Sequence, residues 1–296
     1  NVSPIFKKGQ RSSASNYRPI SLTSTVCKAM ESIVRDHILN YLIEANLISP
    51  DQHGFVPGRS CTTQLLPCLD KWSEAIDEGL CVDTVYLNFS KAFDSVPHER
   101  LIRKMQSYGI TSHVLQWCEG FLLNRRQRVT LNGMHSTWKQ VTSGVPQGSV
   151  IGPLMFVIFI NDLPDSTISP TVMFADDVKI FRTIRSSSDH EELQHDLNRL
   201  HDWSNTWQMN FNANKCQVLH LGSNNNESPY HLNNESLQKV PVIKDLGIMV
   251  DSQLKFHQHV ETQVNKANRI LGLIRRSFDA LNEKTLALLF KSLVRP

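Results

Sequence analysis

The chain has 296 residues, with 31 Lys and Arg against 28 Asp and Glu for a formal net charge of +3, and is 40% hydrophobic and 20% charged. This composition excludes intrinsic disorder, a collagen repeat and a disulfide-dense scaffold, and the length suffices for one large domain or two modest ones with a buried core. The longest apolar run, Val150 to Ile160, is 11 residues with Gly-Pro inside it, short of the roughly 20 needed to cross a bilayer. No signal peptide or basic targeting stretch opens the chain. It begins at Asn1 and ends at Pro296 inside a helical pattern, so both ends are expected to continue in a longer polypeptide.

In chain order, Val26, Met30, Ile33, Val34, Ile38, Tyr41 and Leu42 recur at spacings of three and four, predicting an amphipathic helix over 26–43. Residues 46–58, with two Pro and two Gly, read as a loop. A helix is predicted over 63–78, and a β-branched and aromatic strand over 80–89. Helices follow from Pro97 to about Gly109 and over 114–123. Strands at 127–131 and 138–142 flank Asn132-Gly133, a hairpin signal. A Gly/Pro loop, 144–153, feeds an apolar helix over 154–163. Short strands at 171–174 and 178–182 flank Ala175-Asp176-Asp177, and a long helix covers 189–208. Strands at 216–221 and 246–250 and a largely helical span over 257–295 complete the chain. There are no internal repeats.

Charge is unevenly placed. Residues 1–30 carry Lys7, Lys8, Arg11, Arg18 and Lys28 and no acid, and further basic clusters lie at Arg125, Arg126, Arg128 and at Lys266, Arg269, Arg275, Arg276. Acid-rich stretches at 70–94 and 176–202 lie between them. Basic flanks around acidic islands suit a polyanion groove around a metal site, or simply solvated helix faces. The six cysteines form no C-x-x-C pair and read as reduced, mostly buried thiols of an intracellular protein. His257 and His259 lack a third ligand nearby and read as surface residues. The Asn-x-Ser triplets at Asn1, Asn226 and Asn234 read as chance.

Phe174-Ala175-Asp176-Asp177 is the sharpest motif. Adjacent carboxylates between apolar strands are costly unless a cation or hydrogen bonds compensate them, and Mg2+ takes such oxygens together with substrate phosphates. Alone the string equally fits a turn or helix cap. It stands in an ordered set: Lys7-Lys8-Gly9, Asn16-Tyr17-Arg18-Pro19-Ile20-Ser21-Leu22, Gly54-Phe55-Val56-Pro57-Gly58-Arg59-Ser60, Tyr86 to Asp94 (YLNFSKAFD) and Ser143 to Ser149 (SGVPQGS).

Taken in order, these strings resemble the reverse transcriptases of non-LTR retrotransposons, of the jockey-like and CR1-like kind, over essentially the whole chain. The resemblance implies an α+β right-hand polymerase: fingers with palm-entry helices at 1–80, a palm carrying the catalytic motifs at 81–250, and the start of a truncated thumb at 251–296. It implies an RNA-directed DNA polymerase using two Mg2+ ions, with Mn2+ as the alternative, for in-line nucleotidyl transfer. The implied partners are an RNA template, a DNA primer, deoxynucleoside triphosphates and the rest of the element's polyprotein, with no membrane. The implied location is the cytoplasm and nucleus, as the element's ribonucleoprotein.

By position, the resemblance makes Asp176 and Asp177 the paired metal-holding aspartates and Lys215 the lysine that protonates departing pyrophosphate. Phe93 is the aromatic that screens out a ribose 2′-hydroxyl; its alternative role is core packing. Gln147 lies beside the incoming nucleotide and template, and Lys7, Lys8 and Arg18 grip the triphosphate, a task suited to point charges and a guanidinium fork. Lys244 to Val250 (KDLGIMV) is the element that positions the primer grip. One departure outweighs these matches: the family's first catalytic aspartate falls at Asn88. Asparagine keeps the shape and one oxygen but removes a full charge, predicting a crippled enzyme. Asp83, an odd number of residues earlier on the strand, lies on the opposite face and is no substitute. A decayed copy explains Asn88, with a sequence ambiguity as the other possibility. The competing classes are a non-catalytic nucleic-acid-binding remnant or scaffold, and an intron maturase.

Overall fold

The computed structural model describes residues 1–278 and 282–295. At the N-terminus β1 (Val2–Phe6) and β2 (Tyr17–Ser21) pair antiparallel, and Phe6 meets Tyr17 edge-on at 5.5 Å between ring centroids. α1 (Thr25–Glu44) opens at Ser24, whose hydroxyl accepts from the Cys27 N–H, satisfying one of the free donors of a first turn. Its buried face differs from the predicted one. Ile38 and Leu42 are buried, while Val26, Met30, Ile33 and Tyr41 are exposed. The cause is Glu31, fully buried, whose carboxylate accepts from the backbone N–H groups of Val150 (2.6 Å) and Ile151 (3.2 Å). With residue 31 held inward, the stripe through 26, 30 and 33 turns to solvent.

α2 (Cys61–Asp77) begins with a reciprocal Ser60–Thr63 cap and leads into β3 (Cys81–Asn88). Then come α3 (Ala92–Ser95), a single turn that periodicity does not reveal, α4 (His98–Ser107) and α5 (Ser112–Leu122). The predicted hairpin around Asn132-Gly133 is split into two ladders. β4 (Arg126–Gln127) pairs with β7 (Lys139–Gln140), and β5 (Thr130–Leu131) with β6 (Met134–His135). Between them the strand diverts to β1: the Val2 N–H donates to the Arg128 carbonyl at 2.8 Å and Val129 bridges Val2.

α6 (Gly152–Ile160) is buried nearly all round, as its unbroken apolar composition requires. β8 (Thr171–Phe174), β9 (Asp177–Ile184), α7 (Ser187–Trp207) and β10 (Gln217–Leu221) follow. Two-residue strands β11 (His231–Leu232), β12 (Glu235–Ser236) and β13 (Gln238–Lys239) precede the hairpin of β14 (Val242–Asp245) and β15 (Ile248–Asp251). The strand predicted over 246–250 is shifted, because Leu246 and Gly247, at φ +44° and +99°, make the turn. α8 (His257–Ser277), α9 (Glu283–Leu289) and a π-helical turn at Phe290–Val294 account for the predicted helical span. Its parts at 279–281, and Pro296, lie outside the described residues.

The architecture is α+β. Its centre is a five-stranded sheet in the order β13-β10-β3-β9-β8, antiparallel throughout except for the β13–β10 pair. Pleating sends alternate residues of β3 to opposite faces. Val85 and Leu87 join the main core with Ile38 of α1, Leu101 of α4, Phe156 of α6 and Leu197 of α7, while Val82 and Phe181 join a second core under Trp72 of α2 and Ile243 of β14. Beneath the sheet, Lys104 ties three helices together. Its buried ammonium donates to the Phe159 carbonyl and to Asp162, each at 2.5 Å, and lies 3.8 Å from the Trp207 ring. Burial lowers its pKa to about 8, against the pull of Asp162. The cysteines are unpaired, with Cys68, Cys118 and Cys216 buried and the other three half-buried. Among the described residues, no helix is long and apolar enough to cross a membrane.

Candidate active site

The site forms where β3, β8 and β9 end together. Phe174 pairs with Asp177, so Ala175 and Asp176 are the whole turn, and Ala175 takes φ +52°. Across the sheet Asp177 is the register partner of Asn88. Alternation places Asp177, Lys179 and Phe181 on the same face as Thr84, Tyr86 and Asn88, opposite to Val85, Leu87 and Asp83. The end of β3 is pinned by its backbone: the Asn88 carbonyl accepts from the Asn212 N–H at 2.7 Å, and its N–H donates to Cys216 Sγ at 3.3 Å. A cavity of about 220 Å³ opens here, lined by Asn88, Asp177, Lys179, Lys215, Lys244 and Asp245.

The aspartates carry the electrostatic signature of crowding. Burial raises the Asp176 carboxyl, a backbone hydrogen bond lowers it, and the positive charges of Arg18 and Lys7 pull it down further. Burial also pushes Asp177 up to about 6, aided by repulsion from Asp176 and Asp245. Two carboxylates that resist ionising side by side are the donors a hard cation would relieve.

The remaining expected residues fall into two groups. Lys215, exposed, shares the cavity with Asn88 and Asp177. Arg18 and Lys7 are exposed yet near enough to act on Asp176. Lys8 is exposed beside Lys7 on the loop between β1 and β2 and makes no hydrogen bond or ion pair among the described residues. Phe93 packs into the core on one side, stacking on Phe156 (4.4 Å), while the side chain stays half-exposed beside Phe55 (6.4 Å, edge-on). Gln147 is half-buried on the loop before α6, its Nε2 donating to Asp94 Oδ1 at 2.9 Å and its carbonyl accepting from the Ser21 N–H of β2 at 2.7 Å. That bond ties β2, which carries Arg18, to the Gln147 loop.

Several supporting residues escape sequence reasoning. Asp94 orients Gln147, and its carbonyl accepts from Ser143 Oγ at 3.1 Å. Gly144, at φ +89°, leaves room for that backbone: a Cβ there would lie 2.7 Å from the Asp94 carbonyl oxygen. Lys179 and Asp245 form a buried ion pair of 2.6 Å, with the Tyr86 hydroxyl donating to the same carboxylate oxygen at 3.2 Å. The pair fastens the β14–β15 hairpin, which holds Lys244 to Val250, to the sheet beside Asp177. Asp83 is fully buried on the other face, as alternation predicted. It accepts from the Tyr230 hydroxyl (2.5 Å) and from Asn225 Nδ2 (2.8 Å), and it contacts Nδ1 of His220 (2.6 Å) and of His190 (3.0 Å).

The donor set fits divalent cations incompletely. Among the described residues, no group of three or more His, Cys, Asp or Glu side chains is placed to hold a metal ion. Asp176 and Asp177 supply hard anionic oxygens, but their partner across the sheet is a neutral carboxamide.

A family model for reverse transcriptase (RNA-dependent DNA polymerase) matches residues 5–272. The chain belongs to the reverse transcriptase family. It is 30% identical over 271 residues to a probable RNA-directed DNA polymerase from transposon X-element of Drosophila melanogaster, covering 88% of this chain and 29% of that protein. Over 286 residues it is 27% identical to the RNA-directed DNA polymerase from mobile element jockey of Drosophila funebris, covering 90% of this chain and 31% of that one. This reverse transcriptase domain therefore spans under a third of the length of these relatives. Its fold is also that of telomerase from Candida tropicalis solved with a fragment of telomeric RNA, with a TM-score of 0.53 at 9% identity over 79% of this chain and 42% of that one. The polymerase fold expected from the resemblance is therefore present.

Proposed function

We propose that this domain is the polymerase of a non-LTR retrotransposon, extending a DNA primer on an RNA template, and that Asn88 has nearly silenced it. The supporting observation is that Asn88 and Asp177 are register partners on one face at the end of β3, with Asp176 in the adjoining turn, where the Arg18 and Lys7 charges act on it. In this reading residues 1–80 are fingers, 81–250 palm and 251–296 the start of a thumb. Asp176 and Asp177 would hold Mg2+, which when bound supplies Lewis-acid stabilisation of charge on the reacting phosphate. Arg18, Lys7 and Lys8 hold the triphosphate by charge, Gln147 orients the nucleotide against the template, and Lys215 stands ready to give a proton to pyrophosphate. The rest of the element's polyprotein is the physical partner.

Primer extension on an RNA template with Mg2+, comparing the natural chain with Asn88→Asp, tests the reading. Equal rates, or no extension by either, overturn it. Tight primer–template binding with a steep salt dependence but no extension even by Asn88→Asp favours the non-catalytic scaffold, the second reading that Asn88 itself keeps open. In the Asn88→Asp background, Phe93→Ala is expected to lower discrimination between deoxy- and ribonucleotides about 100-fold, the scale on which an apolar contact rejects a hydroxyl. Single-nucleotide kcat/KM ratios measure this, and an unchanged ratio returns Phe93 to a packing role.

A further inference from the structure

The loop before α2 lies against the turn that carries the aspartates, and nothing in the functional reading uses it. Residues 51–53 add an extra edge to the sheet: the Met173 N–H donates to the Asp51 carbonyl (2.9 Å), the His53 N–H donates to the Met173 carbonyl (2.8 Å), and Gln52 bridges Met173 in parallel. Gln52 is 0% exposed. Its Oε1 accepts two backbone donors, Gly54 N–H at 2.7 Å and Ala175 N–H at 2.9 Å. Gly54 packs so closely on the turn that a Cβ there would collide with the Ala175 backbone nitrogen. Arg59 closes the loop from behind, its Nη1 donating to the carbonyls of Ser49 (2.6 Å), Pro50 (3.2 Å) and Gln52.

The turn needs such support. Of its two residues Ala175 alone has positive φ, the sign pattern of a type II′ turn, whose first position favours glycine. An alanine held there is strained and persists only where its surroundings over-determine it. An N–H at a buried turn is also costly to leave unpaired. One amide oxygen answers both demands and thereby sets where Asp176 and Asp177 point.

We propose that Gln52, with Gly54 and Arg59, is a positioning clasp that holds the Ala175-Asp176-Asp177 turn in its cation-binding geometry. The proposal rests on the reading of Asp176 and Asp177 as the metal-holding pair. Gln52→Met keeps the length and removes the acceptor. In the Asn88→Asp background it is expected to weaken Mn2+ binding, read by electron paramagnetic resonance, about 10-fold. It should lower kcat with little change in nucleotide KM, and speed hydrogen exchange at Ala175 and Asp176 by 10- to 100-fold. Asp196→Ala serves as the control. Asp196 likewise accepts two backbone N–H groups, Ile168 at 3.0 Å and Ser169 at 2.8 Å, just before β8 and at the end of that strand away from the turn. It should lower stability without altering Mn2+ affinity. Arg59→Met, which leaves the Gln52 side chain in place, should give an intermediate loss and serves if Gln52→Met does not fold. Unchanged Mn2+ affinity and kcat in both clasp variants overturn the proposal. If the Asn88→Asp parent neither binds Mn2+ nor extends primers, the functional reading has failed. Exchange then decides the clasp alone, and protection of Ala175 that survives Gln52→Met refutes it.

Discussion

Asn88→Asp is expected to raise the rate of primer extension about 1,000-fold, almost entirely in kcat. The two side chains have nearly the same shape, and the end of β3 is fixed through the backbone bonds of residue 88 to Asn212 and Cys216, so the substitution changes charge and little else. A full negative charge at metal–ligand distance in a partly dry site is worth several kcal/mol, and about 4 kcal/mol of transition-state stabilisation corresponds to that factor. Primer–template affinity at fixed salt should stay within about threefold, since phosphate contacts elsewhere supply it. Asp176→Asn introduced on top of Asn88→Asp should abolish the gain. Single-turnover extension separates the chemical step from binding, and a rise confined to affinity would count against the assignment of residue 88.

The second large effect is on stability. Asp83→Ala is expected to destabilise the fold by about 3–5 kcal/mol, the range for stripping one partner from a buried charged network. The carboxylate it removes satisfies Tyr230, His220 and Asn225 at once, and these come from β10, the following loop and the segment before β11. Burial works against ionisation of Asp83, but the hydrogen bonds from His220 and Tyr230 outweigh it and hold the carboxyl below its ordinary 3.8. A carboxyl with a depressed folded-state pKa contributes stability that is complete above the unfolded value and lost as pH falls through the folded one. The gap between the natural chain and Asp83→Ala should therefore be full above pH 3.8 and narrow on acidification, as measured by urea unfolding at a series of pH values. A gap that stays constant into acid would show that Asp83 acts through packing alone.

Some of this molecule is legible residue by residue. The alternation along Cys81–Asn88 by itself separates Asp83 from Asn88, because successive side chains on a strand must face opposite ways. The apolar run around Phe156 has nowhere to go but the interior. Asn132-Gly133 names its own turn through the positive φ that both residues accept, +49° and +79°. Other features are not local. Spacing in α1 picks out Val26, Met30 and Ile33 as a buried stripe, yet a single carboxylate, Glu31, reaching two N–H groups of a distant helix start decides which face turns inward. Periodicity reports that a helix has an apolar side, not which side finds a partner.

The candidate site divides the same way. Order and spacing of the motifs suffice for the family and single out Asp176, Asp177 and Asn88 as candidates, because those depend on which residue types occupy a strand end and a two-residue turn. They also imply the cations near the start of the chain. They cannot reveal that Lys179 meets Asp245, that Asp94 orients Gln147, or that Gln52 grips the Ala175 N–H, since each joins segments brought together only when the sheet closes. A lone glutamine in a loop carries no sequence signal of a buried acceptor. Its role exists only once burial removes water and a strained turn presents a donor with no other partner. The small net charge of +3 likewise hides its meaning until folding sets Lys7 and Arg18 against the Asp176 carboxylate. Residue identity carries the chemistry, whereas geometry and electrostatic environment arise only with the fold, because both depend on distances that the chain order does not contain.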